Sequence, residues 1–183
     1  MPEPLFLKDY SPPSLLIGIA FYLRHPNDRA PAWKFIFHKR RYTSKNVMVA
    51  GINKVQTPGG GPADYEWAFE IEQDGLGEPL AVVHIGRIPW TRMEFLHFLR
   101  KFKAGRDGDN PGQVTVWSSS AWVIRVLHYL EKKHGRKLGF KLPFRSRRLF
   151  SHIWPYIEKQ RDTQPPRAPR RHPPAVLLHD LEL

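Results

Sequence analysis

Two segments in the first half of the chain place aromatic residues at every second position, and this pattern limits the fold more than any other. The repeat occurs within 32–38 and again within 65–72. Since side chains at i and i+2 lie on the same face of a strand, it predicts strands with one aromatic face and one more polar face. Segment 15–24 is almost continuously apolar, which is typical of a strand covered on both faces.

Further strands are expected at 46–55 and 80–88. Gly75 and Gly77 lie between 65–72 and 80–88 and predict a hairpin that joins them. The expected sheet is therefore antiparallel, with about five strands.

The second half of the chain predicts helices. Thr91 and Glu94 form a capping box at the start of the first helix. The second begins in the serine cluster, Ser118–Ser120, and ends before Gly135, a natural C-cap. The expected spans are 91–103, 118–134 and 149–159, the last interrupted at Pro155. Strands followed by helices indicate an α+β fold, in which the sheet packs against two or three helices.

The chain divides into three regions. Residues 1–14 are expected to be an N-terminal arm, 15–160 a single α+β domain, and 161–183 a Pro/Arg-rich C-terminal tail whose apolar end is a candidate to dock. The apolar runs are shorter than the roughly 18 residues of a membrane span, and the N-terminus lacks a basic signal region. We therefore expect an intracellular protein, either cytoplasmic or nuclear.

The absence of cysteine excludes disulfides and thiolate chemistry. The histidine spacing lacks the zinc-protease pattern, and no metal or cofactor is expected. A net charge of +12 favours association with polyanions, nucleic acid among them, although a solvated basic surface is an equal alternative. The main basic clusters are Lys39–Arg41, Lys132–Lys137 and Arg145–Arg148.

Chemistry is predicted at the serine cluster. Ser119 at a helix N-terminus is a candidate nucleophile, because free amides and the helix dipole stabilise an anion there. Either Ser118 or Ser119 also suits a purely structural N-cap. His84, in an apolar strand, is the candidate base, and a packed core histidine is its alternative.

Carboxylates and aromatics have two interpretations each. Glu66, Glu70 and Glu72 share one strand face and suit either acid–base work or a solvated surface. Trp33 and Trp67 suit either a ligand cleft or core packing.

Several of these segments together resemble an uncharacterised fungal domain family similar to circularly permuted, papain-like cysteine hydrolases of the lecithin:retinol acyltransferase group. The matching motifs, spread over roughly 15–160, are 16–24, Pro31–Phe35, Ile85–Ile88, Ser118–Val123 and Trp154–Lys159. Ala32 falls at the family's histidine, Ser119 at its cysteine and Ser118 at the preceding asparagine.

The resemblance implies a hydrolase or acyltransferase scaffold without its catalytic dyad. Such a scaffold is expected to bind a small or anionic ligand between Ala32 and Ser119, or to transform one non-covalently as a cyclase or isomerase in fungal metabolism. The other expected ligand-binding residues are Trp33, Trp67, Ser118, Ser120 and Trp122. The alternatives are a serine acyl-transfer enzyme with His84 or His38 as a relocated base, and a basic protein that binds nucleic acid or another polyanion.

Overall fold

The structure is a computed structural model that describes residues 14–23, 30–40, 42, 46–73, 75–106, 109–113, 115–163 and 173–181. The predicted N-terminal arm, apart from residue 14, and segment 164–172 of the predicted tail lie outside the described residues. Strands precede helices along the chain and one sheet packs against helices, so the predicted α+β class is confirmed.

Six strands form one sheet. They are β1 (Leu15–Tyr22), β2 (Ala32–His38), β3 (Met48–Gln56), β4 (Tyr65–Glu72), β5 (Ala81–Ile88) and β6 (Ala175–Leu177). Their spatial order is β4-β3-β2-β1-β5-β6. The first five strands pair antiparallel, whereas β6 runs parallel to β5.

The predicted hairpin between 65–72 and 80–88 is wrong. β5 pairs with β1, and β4 lies at the opposite edge, where it pairs with β3. The connection crosses the sheet, and the Tyr22 hydroxyl donates to the Leu76 carbonyl at 2.8 Å. Both strands of the β1–β5 pair are mostly buried. Burying two strongly apolar strands side by side therefore outweighs the local turn signal of the glycines.

The three helices are α1 (Arg92–Leu99), α2 (Ser119–Leu138) and α3 (Ser146–Thr163), with Pro155 inside α3. The capping box is confirmed, because Thr91 Oγ1 accepts from the Glu94 amide at 3.2 Å and the Glu94 carboxylate accepts from the Thr91 amide at 2.7 Å.

The end of α2 differs from the expectation. The helix passes Gly135 and ends at Gly139, whose φ of 64° suits glycine. Gly135 allows a close approach instead, since an added Cβ would lie 2.6 Å from the Phe140 carbonyl oxygen.

The main core lies between the sheet and the helices. Trp33, Phe35 and Phe37 point into it from β2, as the alternation predicts. Trp122 of α2 is fully buried there, with its ring centroid 5.9 Å from that of Phe35. Met93, which the sequence pattern also places in the core, is 66% exposed because α1 buries its opposite face.

The C-terminal segment belongs to this core. Leu178, directly after β6, is fully buried in it. α3 also continues to Thr163, past the predicted domain boundary at 160. In the part of the chain that the structure describes, no helix is both long and apolar enough to cross a membrane.

Candidate functional site

The serine cluster fastens the start of α2 to the sheet. Ser118 is the N-cap and accepts from the Ala121 amide at 3.4 Å, and its hydroxyl lies 2.8 Å from that of Ser120. Ser119 Oγ accepts from the Trp33 amide at 3.0 Å, and the residue is only 7% exposed. This hydroxyl therefore satisfies a buried backbone donor at the start of β2.

The structure does not bring His84 to Ser119. His84 lies on the outer face of the sheet, away from the helices, and stacks on Tyr42 at a centroid distance of 4.8 Å. Burial, and then the charge of Arg87, lower the pKa of His84. His38 ends β2, roughly 17 Å along the strand from Trp33 at about 3.3 Å per residue, and its Nδ1 accepts from the Arg40 amide.

The residues expected to line a ligand cleft are close together but mostly packed. Trp33 and Trp122 are buried in the core, and Trp67 packs partly buried against it. Ala32 is half-buried at the start of β2. The hydrogen bond from Trp33 to Ser119 directly joins the two elements between which the cleft was expected. The ligand-binding roles of these residues stay predictions.

The predicted carboxylate cluster is an ion-pair site. Lys34 Nζ lies 2.6 Å from both Glu70 Oε1 and Glu72 Oε1, on the outer face of the sheet, whereas Glu66 is exposed. Burial lowers the pKa of Lys34, but the hydrogen bonds and charges of the two carboxylates outweigh it and the net shift is upward. This arrangement favours a structural role for Glu70 and Glu72.

A cavity of about 330 Å³ lies between the C-terminal end of α1 and the face of α2. We call it the α1–α2 cleft. Its charged and titratable side chains are Lys101, Lys103, Asp109, Arg125, Lys133 and His134, and its aromatic ones are Phe98, Phe102 and Tyr129. Burial, and then the charges of Lys101, Lys133 and Lys137, lower the pKa of His134. The charged side chains that line the α1–α2 cleft are therefore mainly cationic.

Arg125 holds the loop that borders this cleft. It is 4% exposed and donates to the carbonyls of Gly105, Arg106 and Asp109 at 3.3, 3.2 and 2.7 Å. Its guanidinium carbon lies 4.1 Å from the ring centroid of Trp117. The Tyr129 hydroxyl donates to the Asp109 carboxylate. These contacts fix Asp109, which lines both the α1–α2 cleft and a second cavity next to it.

That next cavity has a volume of about 590 Å³ and lies between the 109–113 loop, α2 and the start of α3. We call it the α2–α3 cavity. His128 Nδ1 lies 2.8 Å from Ser146 Oγ, and both residues line the cavity with Arg145 and Arg147. The sequence analysis missed this pair because its members are 18 positions apart and on different helices. The one available signal was a serine between arginines, three residues before the predicted start of the third helix at 149; the structure begins α3 at Ser146 itself.

Comparison with known proteins leaves the family undecided, because no protein-family model, no curated protein and no solved structure matches this chain. Within the described ranges, no three His, Asp or Glu side chains are grouped so that they could hold a metal ion.

Proposed function

We propose that this protein binds a small anionic ligand with an aromatic group in the α1–α2 cleft. The observation that carries the proposal is the convergence of Lys101, Lys103, Arg125 and Lys133 on one aromatic-lined cavity. Its volume of about 330 Å³ lies within the range of small-molecule sites.

Electrostatics supports an anion. Asp109 is the carboxylate among the lining residues, and its charge already accepts a hydrogen bond from Tyr129. The lowered pKa of His134 means that a further positive charge is disfavoured there. Burial, the larger cause of this shift, disfavours charge of either sign, but the charges of Lys101, Lys133 and Lys137 contribute to it as well, and these charges attract an anion.

The rings support an aromatic group on that ligand. Phe102 and Tyr129 lie 5.7 Å apart between centroids, and Lys133 Nζ lies 5.1 Å from the Tyr129 centroid. Flat ligands gain from stacking on such rings, while ammonium groups beside them bind carboxylate or phosphate.

The proposal keeps the ligand-binding role that the papain-like resemblance implies and moves it from the contact between Ala32 and Ser119 to the α1–α2 cleft. Descent from a permuted papain-like hydrolase, non-covalent cyclisation or isomerisation of the ligand, and a place in fungal metabolism are parts of the same proposal. They rest on the resemblance of the motifs.

The test is a titration with 2-naphthyl phosphate, compared with neutral 2-naphthol and with inorganic phosphate. We expect the aromatic phosphate to bind best. Removing one cation with Lys101→Gln or Lys133→Gln should weaken it about tenfold, equivalent to about 1.4 kcal/mol. Lys159→Gln, an exposed lysine of α3, is the matched control and should change nothing.

NMR of the histidine rings gives an independent readout. A bound phosphate should raise the pKa of His134, since it counters the nearby lysine charges that lower it. Equal binding of the naphthol and its phosphate, or an unchanged His134, would contradict the proposal.

A second candidate is binding of a polyanion such as single-stranded nucleic acid. Its supporting observation is a run of exposed cations over the end of α2 and the start of α3: Lys132, Lys133, Arg136, Lys137, Arg147 and Arg148. An oligothymidylate of 20 nucleotides is the probe. Several phosphate contacts would make log affinity fall with log salt at a slope of about −0.7 per contact, whereas a flat dependence excludes this candidate.

A further inference from the structure

His128 and Ser146 form a hydrogen-bonded pair at the wall of the α2–α3 cavity, and nothing in the proposed ligand binding uses them. We infer that they are the base and the nucleophile of an acyl-transfer site for esters that carry a separate anionic group. This inference concerns a different cavity from the α1–α2 cleft, so either proposal can fail alone.

The geometry provides the first requirement of such a site. A serine hydroxyl is a weak nucleophile until a base accepts its proton, and the base must lie within hydrogen-bond reach. His128 Nδ1 lies 2.8 Å from Ser146 Oγ. Both side chains line the same open cavity of about 590 Å³, in which Ser146 is 8% exposed. A volume of this size can hold a small substrate.

The position of Ser146 provides the second requirement. It is the first residue of α3, a helix of 18 residues. The first amides of a helix have no intrahelical acceptor and carry the positive end of the dipole. They can stabilise the oxyanion that forms when Oγ attacks a carbonyl carbon.

The neighbouring arginines define the substrate class. Arg145 and Arg147 flank the serine and line the cavity, where a guanidinium can bind a carboxylate or phosphate with two hydrogen bonds. Asp109 and Glu131 also line the cavity, and each carboxylate already accepts a hydrogen bond from another part of the chain. The two arginines that flank the serine therefore favour an ester whose acyl or alcohol part is anionic.

The reaction balances without a further reagent. Ser146 Oγ bonds to the ester carbonyl carbon while its proton passes to His128 Nδ1. The ester C–O bond then breaks, and the alcohol leaves with that proton. His128 then takes a proton from water, and the hydroxide bonds to the acyl carbon. The bond between that carbon and Ser146 Oγ breaks, His128 returns the proton to Oγ, and the carboxylic acid leaves.

A structural role for the same hydrogen bond, joining α2 to α3, predicts different results. Asparagine places its side-chain amide near the position of Nδ1, so His128→Asn can keep a hydrogen bond to Ser146 without providing a base. Ser151→Ala removes a serine of the same helix that is exposed and lines none of the cavities described above, and it is the matched control.

The first experiment treats the full chain with a fluorophosphonate probe and locates the label by peptide mass spectrometry. Serine displaces fluoride from phosphorus, and the proton leaves with it. We expect labelling on Ser146 that falls about 100-fold or more in Ser146→Ala and in His128→Asn, and that is unchanged in Ser151→Ala. Urea midpoints confirm that each variant is folded.

The second experiment follows hydrolysis of mono-(4-nitrophenyl) glutarate and of 4-nitrophenyl acetate. Arg147→Gln should raise KM about tenfold for the anionic ester and leave the neutral one unchanged. Labelling of His128→Asn at the wild-type rate, or a wild-type protein whose label is absent from Ser146, overturns the inference. The absence of the label from Ser146 is measured on the wild-type protein, so it overturns the inference even if the Ser146→Ala and His128→Asn variants fail to fold.

Discussion

Ser119→Ala separates a structural serine from a catalytic one. The wild-type hydroxyl accepts from the Trp33 amide at 3.0 Å, and Trp33 is 1% exposed. Alanine leaves that amide buried without its acceptor, at a cost of about 1–3 kcal/mol. The higher helix propensity of alanine returns at most about 0.5 kcal/mol. The net loss of unfolding free energy should therefore be about 0.5–3 kcal/mol, which lowers Tm by about 1–12 °C in a domain of this size.

Urea unfolding followed by tryptophan fluorescence measures this loss, and hydrogen exchange of the Trp33 amide locates it. Exchange at Trp33 should accelerate more than at the other amides of β2. Ser151→Ala is the control and should stay within about 0.5 kcal/mol of the wild type. If Ser119→Ala leaves stability and Trp33 exchange unchanged but abolishes fluorophosphonate labelling, the structural assignment fails and Ser119 is the nucleophile.

Two further changes test the loop and the outer face of the sheet. Arg125→Met removes the donor of three carbonyl contacts, so we expect a loss of about 2–4 kcal/mol in urea unfolding and faster proteolysis within 104–113. Resistance equal to wild type would contradict this. Because the pKa of His84 is lowered in the fold, its contribution to stability is present above about pH 6.5 and lost as pH falls. The urea midpoint of the wild type should therefore fall as pH is lowered below about 6.5. His84→Phe, which can still stack on Tyr42, should show a smaller fall, and a pH dependence equal to that of the wild type would refute this prediction.

Local patterns predicted the elements better than their pairing. The alternation at Trp33, Phe35 and Phe37 predicted which face of β2 is buried, and Thr91 with Glu94 predicted the start of α1. Both signals lie within a few residues of the feature they specify. Pairing is not local: a glycine-containing connection is compatible with a hairpin and with a crossing, and burial of the whole sheet decides between them.

The same distinction applies to the candidate site. The serine cluster is conspicuous along the chain, and its position at the start of α2 was predictable from N-cap chemistry. That the Ser119 hydroxyl accepts from Trp33 could not be predicted, because the two residues are 86 positions apart. Lys101 and Lys133 likewise belong to separate basic stretches, and only the packing of α1 beside α2 brings them to one cavity.

The distribution of charge favours a functional explanation of the net charge of +12 over a uniformly solvated basic surface. On the outer face of the sheet, Lys34 is neutralised by Glu70 and Glu72 at 2.6 Å. On the helical side, the α1–α2 cleft is lined by four cationic side chains and one carboxylate, that of Asp109. Like charges that converge on one cavity repel one another, and this repulsion costs folding free energy unless an anion offsets it. The concentration of cations around the α1–α2 cleft is therefore the charge distribution expected if the cleft binds the anionic ligand proposed above.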